Sequence, residues 1–150
     1  MNALEERVVI DASVAVKWYV PEQGSIAAAA LLAAPIVRMA PDLLTAEIGN
    51  TLWKKIQRLE LRRDDARSIA AAFVSSLPLD LRPSTNLLEG ALEIAVQLRC
   101  SVYDGLYIGL AVDEGCRVVT ADDRLIRVTL GTPLEPFVRR LEEDLPSQRR

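Results

Sequence analysis

The chain has 150 residues, half of them hydrophobic but only 5% aromatic, and its formal net charge is −3. That is the length of one domain with an aliphatic core, too acidic to coat nucleic acid by charge alone but able to hold it through a bound cation. Two cysteines, Cys100 and Cys116, and no histidine exclude a disulfide framework and a zinc site, leaving two reduced core thiols.

The N-terminal MNALEER is acidic where a signal peptide is basic. The segment GSIAAAALLAAPIV is short for a membrane span, carries Pro35 and stops at Arg38, so a soluble cytoplasmic chain is expected. Arg7 to Ile10 should form the first strand, apolar throughout and so buried on both faces. Asp11 ends it, and ASVAVKWYV begins a short helix halted by Pro21. A second, Ala-rich helix starts near Ser25, its expected N-cap, and IVRMA is the next strand, closed by Pro41.

From Leu43 to Arg62, Leu44, Ile48, Leu52, Ile56 and Leu59 recur at three- and four-residue spacing, which predicts one amphipathic helix. Asp64 should cap another that buries Ile69, Phe73, Val74 and Leu77. LPLDL is a short strand, and Pro83-Ser84 opens a helix through Leu87, Leu88, Ala91, Ile94, Ala95 and Leu98. Tyr103 to Val112 is apolar nearly all round, as a central buried helix would be. CRVVT is a strand, DDRLIRV a short helix, and about 142–150 a charged, frayed or partner-ordered tail. Strands alternating with helices and no linker predict a single α/β domain over 1–150 with a mainly parallel sheet.

Four acids stand where these strands give way to helices, or just inside the helices: Asp11, Glu47, Asp104 and Asp122. Open parallel sheets bind ligands beyond the carboxyl ends of their strands, so the four could share one pocket, with Asn50 and Thr51 on the side of Glu47. Carboxylates crowded together repel, and a divalent cation relieves that cost. Oxygen donors without histidine suit Mg²⁺ or Mn²⁺ and water-driven hydrolysis of a phosphodiester. Singly, each residue has a plainer explanation. Asp11, Asp104 and Asp122 could be helix N-caps, and Glu47 a surface partner of Lys54 or Lys55.

The segments VVIDASVAVKWYVPE, PDLLTAEIGNTLWK, SVYDGLYIGLA and VVTADDRL together resemble the four motifs of the PIN-domain ribonucleases, most closely the VapC type of toxin. The resemblance covers nearly the whole chain, in family order, with Glu47 and Asn50 matching an E-x-x-N pattern. It implies a three-layer α/β/α fold and a Mg²⁺- or Mn²⁺-dependent endoribonuclease with Asp11, Glu47, Asp104 and Asp122 as its acids. Asp11 and Asp104 would be the principal metal ligands, with Asp122 helping, and Ser13 and Thr120 would support them by hydrogen bonds. It also implies a homodimer silenced by a VapB-like antitoxin, with DNA bound only through that antitoxin. Gly105 stands where the family more often has Ala, a small change expected to leave the acid in place. In the Asp122-Asp123 doublet, Asp122 matches the family's T-A-D, leaving Asp123 as a solvent or capping acid.

Lys17 is a candidate RNA contact near the site. Lys54, Lys55, Arg58, Arg62 and Arg63 form either a solvated helix face or a strip for RNA phosphates or antitoxin acids. Trp18, Tyr19 and Trp53 are read as core or dimer packing residues rather than base-stacking platforms. Two other functions compete with the nuclease. An Asp-based phosphoryl-transfer domain would want a second Asp where Ser13 stands, and a non-catalytic binding module would have no reason to bear carboxylate repulsion.

Overall fold

The computed structural model describes residues 5–144. Five strands form one sheet in the order β3-β2-β1-β4-β5, every neighbouring pair parallel. They are β1 (Arg7–Ile10), β2 (Val37–Pro41), β3 (Asp80–Arg82), β4 (Arg117–Thr120) and β5 (Val138–Arg140). Between them lie seven α-helices: α1 (Ala12–Ala15), α2 (Ser25–Ala33), α3 (Leu43–Gln57), α4 (Arg63–Ser75), α5 (Leu88–Leu98), α6 (Val102–Glu114) and α7 (Asp123–Thr129). Right-handed crossovers put α1–α4 on one face as the order runs outward from β1 to β3. They put α5–α7 on the other as it runs from β3 across to β5. This is the three-layer α/β/α arrangement.

The order reverses between β1 and β4, which pair Val8 with Arg117, Val9 with Val118 and Ile10 with Val119. Both strands carry β-branched runs sealed by helices above and below. Val8, Val9, Ile10, Val118 and Val119 are completely buried. The ladder continues one step past β1, where Asp11 N–H donates to Val119 C=O at 3.1 Å. That bond fixes the first residue after β1 against the end of β4.

Several local expectations change in three dimensions. Helix α3 ends at Gln57, and Leu59 takes a left-handed φ of 61° that swings its side chain into solvent. Ala66, Ile69 and Phe73 face inward on α4, whereas Val74, about 100° further round the helix, is exposed, as are Leu77 beyond it and Leu88 on α5. Tyr103 and Val112 are exposed too, so the buried part of α6 is Asp104 to Ala111. Ser25 is not the cap of α2; Gly24, at φ 87°, holds that place. The Ser25 hydroxyl instead accepts from Glu22 N–H at 2.9 Å. Arg62 precedes α4, with Asp64 inside its first turn. Cys100 and Cys116 are free, partly buried thiols. Trp18 packs as expected, its indole N–H donating to Ala28 C=O at 2.9 Å, and Tyr19 meets Phe73 edge-to-face. Trp53 is more than half exposed instead.

Strand β5 and the turn after it were unforeseen. Val138 alone of β5 is buried, and Leu141 and Asp144 follow it into the core. Asp144 pairs with the Arg117 guanidinium, so the expected loose tail is docked at least to residue 144. Residues 145–150 lie outside the described residues. Among the described residues no helix is long and apolar enough to cross a membrane.

Of the glycines, Gly105 has the least room. A Cβ there would lie 2.3 Å from the carbonyl oxygen of Ala91 on α5, so α5 and α6 touch backbone to backbone. The place where the resembling family more often carries Ala is here closed to it. Gly105→Ala is expected to lower unfolding free energy by about 1–3 kcal/mol, by forcing the two helices apart. Urea denaturation monitored by circular dichroism tests this, and an unchanged midpoint would show that α5 can retreat without cost.

Candidate active site

Beyond the carboxyl ends of β1 and β4 lies a pocket of about 330 Å³, where the reversal of strand order leaves a crevice. Asp11, Glu47, Asp104 and Asp122 all line it, brought from β1, α3, α6 and the turn after β4. Ser13 and Lys17 line it as well. Asn50 does not: it is exposed, and Thr51 occupies the wall instead. On an α-helix a step of four residues returns about 40° from the starting direction, and a step of three falls short by about 60°. Thr51 and Asn50 therefore diverge around Glu47.

Asp11 is held by a hydroxyl cradle. Its Oδ2 accepts from Ser13 Oγ at 2.6 Å and from Thr120 Oγ1 at 2.8 Å. The two hydroxyls accept in turn, Ser13 Oγ from Ala121 N–H and Thr120 Oγ1 from Asp122 N–H, each at 2.9 Å. One connected network thus ties the ends of β1 and β4. Burial pushes the Asp11 carboxyl above its usual range against the pull of these hydroxyls, and the charge of Asp122 adds to the rise. Asp11 has the backbone of an N-cap, yet its side chain makes no capping bond to α1.

Asp104 is not a cap either. Ser101 caps α6, its hydroxyl accepting from Asp104 N–H at 3.1 Å, which leaves the Asp104 carboxylate free of any local duty. Asp122 does cap α7, accepting from Arg124 N–H at 2.9 Å, and still faces the pocket. The plainer explanation therefore covers one acid of three. Asp123 points away and pairs with Arg140.

Glu47 pairs with neither Lys54 nor Lys55 among the described contacts. It accepts from the Tyr107 hydroxyl at 2.7 Å. Burial raises the Glu47 carboxyl above its usual range, opposed by Tyr107, and Asp11 and Asp104 push in the same direction as burial. Burial, with the charges of Asp11 and Glu47, pushes the Tyr107 phenol up, so it remains a donor at physiological pH. Lys17 and Lys55 reach Glu22 from two sides, at 3.0 and 2.7 Å, and frame the rim of the pocket. Burial works against the charge of Glu22, but the two lysines outweigh it and hold the carboxyl below its usual range.

Sequence reading missed Tyr107, Glu22 and Arg124. Tyr107 follows Asp104 by three residues, a spacing that shares a helix face and was readable as such. The Arg124 guanidinium embraces Asp104, with Nη1 on Oδ2 and Nη2 on Oδ1 at 3.0 Å, and Nη2 also meets Asp122 Oδ2 at 3.1 Å.

Five acids and three bases line the pocket. As placed, no three acids of the described residues are grouped to surround an ion. The donor set is nonetheless carboxylates and hydroxyls throughout, with two acids raised by burial and, to a lesser degree, by the charge of neighbouring acids. That chemistry fits a hard divalent cation. A larger hollow of about 770 Å³ at the opposite ends of the strands fits chemistry less well. Four of its charges are already paired, Arg7 with Glu114 at 2.6 Å and Arg117 with Glu6 at 2.8 Å.

The chain and its fold have matches among known proteins. Residues 8–130 match the family described as PIN domain. The chain is 30% identical to "Ribonuclease VapC3" of Pyrobaculum aerophilum over 120 residues, 79% of this chain and 92% of that one. Its fold is similar to the crystal structure of PAE2754 from Pyrobaculum aerophilum, with a TM-score of 0.63 and 22% identity over 96% of each chain. It is also similar to that of FitAcB from Neisseria gonorrhoeae, with a TM-score of 0.64 and 17% identity over 90% of this chain and 98% of that one.

Proposed function

The chain belongs to the PIN domain family, and on that premise we propose that it is a Mg²⁺- or Mn²⁺-dependent endoribonuclease, the toxin of a toxin–antitoxin pair. The observation that carries this reading is the meeting of Asp11, Glu47, Asp104 and Asp122 in one pocket from four separate segments, with three of the four unused as caps. Asp11 and Asp104 would be the principal ligands and Asp122 the third. A bound cation would polarise the scissile phosphate and make an attacking water more acidic.

The protein's own part is orientation. Ser13 and Thr120 aim the Asp11 carboxylate by both bonding one oxygen, Oδ2. Tyr107 fixes Glu47, whose raised carboxyl suits it to take up a proton beside the reacting phosphate. Lys17 and Lys55 at the rim offer positive charge to the RNA backbone. The name of the VapC3 relative, a ribonuclease, supports RNA as substrate, and we read a VapB-like antitoxin as the partner. We further read the protein as a cytoplasmic homodimer that meets DNA only through that antitoxin.

Purified protein should cleave RNA in Mg²⁺ or Mn²⁺ and stop on chelation, with activity restored by added metal. Gel analysis of end-labelled RNA tests this, and cutting that persists in excess chelator would overturn the metal reading.

A further inference from the structure

Arg124 stands in the first turn of α7 with its backbone pinned, because the Asp122 carboxylate accepts its N–H at 2.9 Å. From that anchor the side chain crosses the mouth of the pocket and takes both oxygens of Asp104, in the planar fork that makes the strongest cation–carboxylate contact. The same nitrogen that meets Asp104 Oδ1 also meets Asp122 Oδ2. A single guanidinium thus holds two of the three carboxylates assigned to the metal.

A guanidinium on both oxygens of Asp104 takes up two of its four lone-pair sites and sets a positive charge beside any cation the acid would hold, so the two compete for it. The structure shows which partner yields. The Asp104 side chain is 9% exposed on a helix packed backbone to backbone, whereas that of Arg124 is 53% exposed. The acid is fixed and the arginine is free to swing. The other bases of the pocket, Lys17 and Lys55, pair with Glu22 at the rim and show no contact to Asp104 or Asp122 among the described residues.

We propose that Arg124 is the exchangeable counter-ion of the acid pocket: it holds Asp104 and Asp122 until a divalent cation displaces it, then turns its guanidinium to a phosphate of the bound RNA. The inference rests on the metal-dependent nuclease reading and adds a residue to it. Displacement leaves the anchored backbone at the pocket mouth, and a planar fork released there matches the paired oxygens of a phosphodiester. Coupling of this kind is reciprocal. The arginine must weaken the metal as much as the metal loosens the arginine.

The test has two arms whose effects run in opposite directions. Calorimetric titration of Mn²⁺ into chelator-treated protein without RNA should show Arg124→Ala binding about fivefold tighter than wild type. Arg124→Lys, which keeps the charge and loses the fork, should fall between them. At saturating Mn²⁺ the KM for RNA should rise about fivefold in Arg124→Ala. Equal or weaker Mn²⁺ binding by Arg124→Ala overturns the exchange, and an unchanged KM overturns the phosphate contact. If wild type binds Mn²⁺ and the variant gains nothing, only the exchange falls. If neither protein binds Mn²⁺, the metal reading falls and takes the exchange with it.

Discussion

Asp104→Ala is expected to slow RNA cleavage by about a thousandfold or more while leaving the fold intact. A metal ligand supplies several kcal/mol of transition-state charge stabilisation, and about 4 kcal/mol corresponds to that factor. The fold survives because Ser101, not Asp104, caps α6 and because the partner left behind, Arg124, is half exposed and can turn to water. Asp122→Ala should also lose most activity, whereas Asp123→Ala should retain it, since Asp123 faces Arg140 away from the pocket. Initial rates on end-labelled RNA, with circular dichroism as the folding control, decide the matter. Wild-type rates from a clean Asp104→Ala preparation would sink the site assignment.

Asp11→Asn should do the opposite to stability. In the folded chain the Asp11 and Glu47 carboxyls are raised above their ordinary values of 3.8 and 4.5. Between the unfolded and folded values the folded state holds more protons, so the associated stability is full below the unfolded value. It is lost as pH rises through the folded value. At pH 8 in chelator, a charge on Asp11 is buried with only its hydrogen bonds to offset burial, and Asn keeps an acceptor for Ser13 and Thr120 without that charge. We expect Asp11→Asn to gain about 1 kcal/mol there, or roughly 2–4 °C in Tm for a chain of this size. The gain should vanish near pH 4. Mg²⁺ should raise the Tm of wild type at pH 8 and leave that of Asp11→Asn almost unmoved. Scanning calorimetry at the two pH values, with and without metal, tests all three statements. A variant less stable than wild type at pH 8 in chelator contradicts them.

The parts of this molecule legible in the sequence are those whose cause is local. The runs of β1 and β4 are continuously apolar because helices cover both faces, and continuous runs are visible in one dimension. Asp11 and Asp122 were legible because they sit at the junctions those runs end on. Strand β5 was not, because an edge strand of three residues with one buried side chain leaves too little pattern to read. Leu59 misled for a related reason. It continues the heptad-like spacing of α3 but falls after the last helical hydrogen bond, where the backbone turns left-handed. Gly105 was legible as a small residue, but the need for it lies on α5 at Ala91. Arg124 follows Asp122 by two residues, yet its reach to Asp104 spans 20 positions and exists only once α6 and α7 are docked.

The pairing of β1 with β4 also bears on when a newly made chain becomes dangerous. The hydrogen bond from Thr120 to Asp11 spans 109 residues, and β1 lacks its β4 neighbour until the last quarter of the chain has been synthesised. At about 5–20 residues per second, Asp11 waits roughly 5–20 s for the partner that orients it. A ribosome that stalls between residues 104 and 117 therefore carries a fragment with Asp11, Glu47 and Asp104 but no assembled pocket. Translation must be almost finished before the product can attack RNA, so premature termination yields a harmless fragment.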